Sequence, residues 1–162
     1  MAVTANQIKF FKSTNGLGGV ITLTEIVSGN LHNVFDIVNK DESRDGAIEY
    51  RCIYVKNTNN TDTLQDVSAY LSAQTASPTT SMAFGLGTAA VGGTEQSIAN
   101  ETTAPIGVNF TETVGVGGAK NIGNLTANSY KAVWLRRNVQ SGTSSASTDE
   151  ATLTVDGSTV DF

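Results

Sequence analysis

Ala47-Ile48-Glu49-Tyr50-Arg51-Cys52-Ile53-Tyr54-Val55-Lys56-Asn57 is the stretch that decides the fold. From Ile48 to Cys52 apolar and charged side chains alternate, the period-two pattern of a strand with one buried and one solvated face. The pattern assigns Ile48, Tyr50 and Cys52 to the core and Glu49 and Arg51 to solvent. At Ile53-Tyr54-Val55 the alternation stops, which predicts that the later half of the strand is covered on both faces and sits centrally in a sheet. Beyond a loop at Asn57 to Asp62, the run Leu64 to Leu71 alternates again, with Val67, Ala69 and Leu71 on one side and Asp66, Ser68 and Tyr70 on the other. It reads as the partner strand.

Toward the N-terminus, the segment Asn39 to Gly46 is the only dense charge cluster and reads as a loop closed by an Asp-Gly turn. Before it, Val20 to Val27 and Leu31 to Val38 read as a hairpin around Ser28-Gly29-Asn30. Gln7 to Phe11 is a further strand, which ends in the glycine-rich turn Gly16 to Gly19. Toward the C-terminus, Met82 to Leu86 is a short apolar run, and Glu95 to Asn100 is a short strand or a helical turn. Ala104 to Phe110 reads as a strand entered through Pro105, Tyr130 to Arg137 as a strand that leaves the core at its arginine pair, and Ala151 to Val155 as a closing strand. The expectation is an all-β, single-domain antiparallel β-sandwich, of jelly-roll or immunoglobulin-like type, with eight or nine short strands and no helix of convincing length.

Composition narrows the function. The chain has 162 residues, one domain's worth, and a net charge of −5. With only ten Lys and Arg it lacks the clustered cations of a nucleic-acid groove, so no nucleic acid is expected. No window approaches the ~18 apolar residues of a membrane-spanning helix, and no signal peptide opens the chain. Synthesis in the cytoplasm, with no membrane association, is the corresponding expectation. One cysteine and one histidine exclude a disulfide framework and a zinc tetrad of soft ligands.

Candidate chemistry is sparse. His32 is the only histidine and no Gly-x-Ser-x-Gly elbow accompanies it, so a strand-surface role outweighs a catalytic triad. Cys52, inside an apolar strand, reads as a buried, inert thiol. Asp41, Ser43, Asp45 and Gly46 imitate the start of a calcium loop, but Cys52 stands where the bidentate glutamate belongs; a solvated loop outweighs a cation site of another kind. Trp134 and Tyr130 share one strand face, as do Tyr50 and Tyr54, which suits an aromatic core or a sugar platform, with core favoured. The Arg136-Arg137 pair is read as a solvated strand end or as a grip on a partner's carboxylates. No catalytic residue, metal ligand or cofactor is assigned, and no enzyme activity is expected.

Three blocks, Ala47 to Asn57, Gly92 to Pro105 and Lys131 to Arg137, resemble in pattern and order the small virion structural proteins of tailed bacteriophages. The likeness runs from about Ala47 to Val155. It implies a place in a virion assembled in the host bacterial cytoplasm, most simply as a capsid decoration or cement protein, alternatively as a tail or baseplate component. Partners would be other virion proteins, the major capsid protein or tail and baseplate proteins, and further copies of the chain. A carbohydrate or host-surface binding module is the competing class. Residues 1–46 fall outside the likeness and residues 47–162 form the expected sandwich core; the N-terminal part is expected to join the same fold and to supply subunit contacts. Phe10, Phe11, Lys12, Arg136 and Arg137 are the candidate interface residues.

Overall fold

The structure, a computed structural model, describes residues 2–144 and 149–159. Its ten strands are β1 (Ile8–Ser13), β2 (Gly18–Gly19), β3 (Ile21–Glu25), β4 (Ala47–Asn57), β5 (Leu64–Ala73), β6 (Thr80–Leu86), β7 (Glu95–Ser97), β8 (Lys120–Leu125), β9 (Tyr130–Val139) and β10 (Thr152–Ser158). They form a five-stranded sheet in the order β3-β1-β4-β9-β6, a three-stranded sheet in the order β10-β5-β8, and a small β2-β7 pair. All strand pairings are antiparallel. This is the all-β, sandwich-like domain expected from the periodicity, with strands β2 and β8 added.

β4 lies at the centre of the larger sheet, between β1 and β9, with Cys52 opposite Trp134 and Ile53 opposite Val133. One face of this sheet, with Ile53, Val55, Phe84, Val133 and Leu135, packs on Leu64, Val67, Ala69, Leu71 and Leu125 of the smaller sheet. The other face carries Cys52, Tyr54, Ala132 and Trp134 and is covered by residues 87–119, which bring Ile98, Val108 and Phe110 down on it. The double cover explains the apolar run at Ile53-Tyr54-Val55, whose three side chains are all buried. It also settles the aromatic stripe: Trp134 and Tyr54 are fully buried core, and the rings of Tyr54 and Tyr130 meet edge-on with centroids 5.3 Å apart.

Several local expectations need correction. β5 is not the partner of β4; it is the middle strand of the other sheet. The buried side chain of Asn57 donates to the carbonyls of Asp62 and Leu125, both at 2.9 Å, and so holds a crossing loop between sheets where a tight turn would have made a hairpin. Leu31 to Val38 is not a strand: His32 is left-handed at φ 55°, and Phe35 turns into the core. β3 pairs with β1 instead. Ala104 to Phe110 is also irregular. Gly107 takes φ +74°, and the Gln96 side chain caps Ile106 by accepting from its N–H and donating to its carbonyl.

The charge cluster folds into a short helix, α1 (Lys40–Asp45), with a capping box: the Asn39 side chain accepts from the N–H groups of Asp41 and Glu42, and Glu42 reaches back to the Asn39 N–H. Burial along the first half of β4 also departs from its alternation. Ile48 is half exposed, whereas Glu49 is 1% exposed.

Candidate functional site

The candidate interface residues lie in different surroundings. Phe10 packs against the main core, while the Phe11 ring stands on the opposite face of β1 beneath the Lys56 ammonium, 5.9 Å from the ring centroid. Arg136 reaches Glu112 at 2.6 Å and lies over the Phe110 ring, 5.4 Å from its centroid. Its neighbour points to the other face. Arg137 donates from Nε to Oε2 of Glu49 at 2.6 Å and from Nη1 to the Asp36 carbonyl at 2.7 Å, and its side chain is only 11% exposed. The arginine pair therefore does not mark where β9 leaves the core. Each arginine holds an acid of its own chain.

Arg137 belongs to a charge cluster at the end of the larger sheet. β1 stops at Ser13, so Arg51 of β4, paired with Leu135 of β9 on one side, has no strand on the other, and Glu101 fills that gap. Its carbonyl accepts from the Tyr50 N–H at 2.7 Å and its carboxylate pairs with Arg51. Asp36 bridges the two cations, 3.7 Å from Arg51 and 3.6 Å from Arg137, while the Phe35 ring lies beneath both guanidiniums at 5.6 and 4.9 Å. Asp36, Glu49 and Glu101 bring one oxygen each within 4.8 Å of one another, a spacing open to a metal ion. Arg51 and Arg137 already supply the positive charge there, so the cluster fastens residues 34–36 to the sheet. Glu49 Oε1 has no hydrogen-bond partner, and burial raises the Glu49 pKa against the opposing pull of Arg137.

A second buried carboxylate lies on the opposite face. Glu95 of β7 accepts from the Thr88 hydroxyl at 3.1 Å, the Ala89 N–H at 2.9 Å and the Trp134 indole N–H at 3.3 Å; its own N–H donates to the Tyr54 hydroxyl, which donates to the Gly19 carbonyl. Burial pushes its pKa up, but the donors around it outweigh burial and the net shift is downward. Two glycines make the approach possible. A Cβ at Gly87 would stand 2.3 Å from Glu95 Oε2, and one at Gly18 would stand 1.9 Å from the Gln96 carbonyl. Burial drives the neighbouring thiol of Cys52 up to about 12, so at neutral pH it is a protonated, fully buried group.

The remaining feature is a segment, residues 20–37, whose exposed apolar side chains the sequence pattern did not reveal. Five of the nine large apolar side chains left exposed among the described residues fall within residues 20–37: Val20, Leu23, Val27, Leu31 and Ile37. Leu23 is 97% exposed. Beside it runs a groove of about 300 Å³ whose lining includes Lys12, Asn15, Thr22, Thr24 and Arg51. Among the described helices, none is long and apolar enough to cross a membrane. Searches of known protein families, curated proteins and solved structures give no match to this chain.

Proposed function

We propose that this chain is a structural component of a tailed-phage virion, a capsid decoration or cement protein that acts through protein contacts. The observation that carries the reading is the concentration of exposed apolar side chains on residues 20–37, in a domain whose other large apolar groups are mostly buried. So many exposed apolar side chains in one segment mark it as a contact segment, because leaving apolar area in water costs about 25 cal/mol per Å². The β-rich scaffold and the resemblance of the Ala47 to Val155 pattern to virion proteins support the same class. The sugar-binding alternative calls for an exposed aromatic platform, yet Trp134 and Tyr54 are fully buried. The groups an enzyme would draw on are dispersed: His32 is exposed in a turn, Cys52 is sealed in the core, and the buried acids are engaged with arginine, amide and indole donors.

Co-sedimentation tests the proposal. The wild-type protein is expected to sediment with phage capsid shells, and Leu23→Asp combined with Leu31→Asp is expected to abolish this while leaving the β-sheet circular dichroism unchanged. Sedimentation with tail tubes instead would move the protein to the tail. Binding to neither, with retention by host polysaccharide, would overturn the reading.

A further inference from the structure

The groove beside Leu23 is produced by an irregularity in the sheet. In the β1-β3 ladder Phe11 stands opposite Glu25 and Ser13 opposite Ile21, so Thr22, Leu23 and Thr24 together face the single residue Lys12. A bulge of this kind bends its strand and re-aims side chains. Here it holds the two strands together by side-chain bonding, with the Thr22 hydroxyl donating to the Lys12 carbonyl at 2.8 Å, and it leaves Leu23 standing free. Lys12, Thr22, Thr24 and Val34 line the groove.

Lys12 differs from the cations around it. Lys9 is paired with Glu25, Arg51 with Glu101 and Asp36, Arg137 with Glu49, and Arg136 with Glu112. Lys12 is half buried in the groove and, among the described residues, has no acid partner. A half-buried ammonium without a counter-charge, in a chain of net charge −5, is a place where an incoming carboxylate is favoured. Val34 lines the same groove, and Leu23, between the lining residues Thr22 and Thr24 on the edge strand β3, stands exposed; these two apolar groups set the second requirement. We propose that this corner is a docking site for an extended segment of another protein in which acidic and apolar residues alternate, an acid entering the groove to meet Lys12 and the neighbouring apolar side chains covering Leu23.

This rests on the reading of the chain as a contact protein, and its test needs no virion. The probe is the capped peptide acetyl-Glu-Leu-Glu-Leu-Glu-amide, compared with its all-Gln counterpart and with inorganic phosphate, each titrated into the full chain and followed by backbone amide shifts in NMR. The acidic peptide is expected to shift Lys12, Leu23 and Thr24, to weaken as salt is raised, and to lose about tenfold in affinity on Lys12→Gln. Lys56→Gln, on the opposite face, is expected to leave binding unchanged. Equal binding of the Gln peptide, shifts centred elsewhere, or binding of phosphate without binding of the peptide would each overturn the proposal. So would self-association that Lys12→Gln abolishes, since the occupant would then be a second copy. Failure here with intact capsid binding would remove only the docking site; loss of capsid binding with intact peptide binding would remove only the virion reading.

Discussion

Glu49 and Glu95 are two buried carboxylates on opposite faces of one sheet, and they are stabilised in opposite ways. Glu49 is 1% exposed, rests on a single arginine, and keeps Oε1 without a partner. Glu95 is 3% exposed and is surrounded by a hydroxyl, a backbone amide and an indole, all neutral. The pKa of Glu49 is accordingly raised and that of Glu95 lowered. Burial penalises both charges; the number of donors aimed at each carboxylate decides the sign. A chain that must bind a long irregular excursion to a sheet does so more securely with Glu95, because its donors come both from Thr88 and Ala89 of the excursion and from Trp134 of the sheet beneath it.

The comparison breaks most visibly at Arg137. Replacing it by Ala strands the Glu49 charge in the core and is expected to cost about 3–5 kcal/mol, whereas Glu49→Leu with Arg137→Met, which removes both charges, is expected to recover most of that loss. Urea denaturation of the three proteins measures it; an Arg137→Ala protein as stable as wild type would show that the pair carries no weight.

The next effect is at Glu95. Glu95→Gln keeps the shape but gives an NH2 group to sites that expect an acceptor, and is expected to cost about 1–3 kcal/mol. The pH dependence separates the two acids. Because its folded pKa is lowered from the ordinary 4.5, Glu95 contributes stability that is present above that value and lost as pH falls through the folded pKa. Glu49 runs the other way: its folded pKa is raised above 4.5, so its contribution is complete below that value and is lost as pH rises through the folded pKa. Glu95→Gln is therefore expected to flatten the loss of stability on acidification, and Glu49→Gln to flatten the loss that begins above pH 4.5. Denaturation midpoints followed from acid to neutral pH check both signs.

The smallest effect is expected at Arg136. Its ion pair with Glu112 is partly solvated, and Arg136→Ala is expected to cost no more than about 1 kcal/mol, much of it from lost contact with Phe110. A loss as large as that for Arg137→Ala would erase the distinction between the two faces of β9.

Period-two alternation and turn residues were enough to determine that this chain is all-β, to place β4 with its observed bounds and β9 to within two residues, and to bury Cys52, since these follow from interactions among residues close in sequence. Residues 39–46 read as a loop, and α1 did not show in the pattern because a six-residue helix has no apolar stripe. Only the tertiary structure decided that β5 joins the second sheet, that residues 31–38 join no strand ladder, and that Glu49 lies inside. The salt bridge that makes Glu49 tolerable in the core joins residues 88 positions apart, and no local pattern records a partner at that distance. The same holds for the docking corner: Lys12 is a candidate interface residue from the sequence alone, but nothing there marks Leu23, whose 97% exposure accompanies the irregular register of β3 against β1.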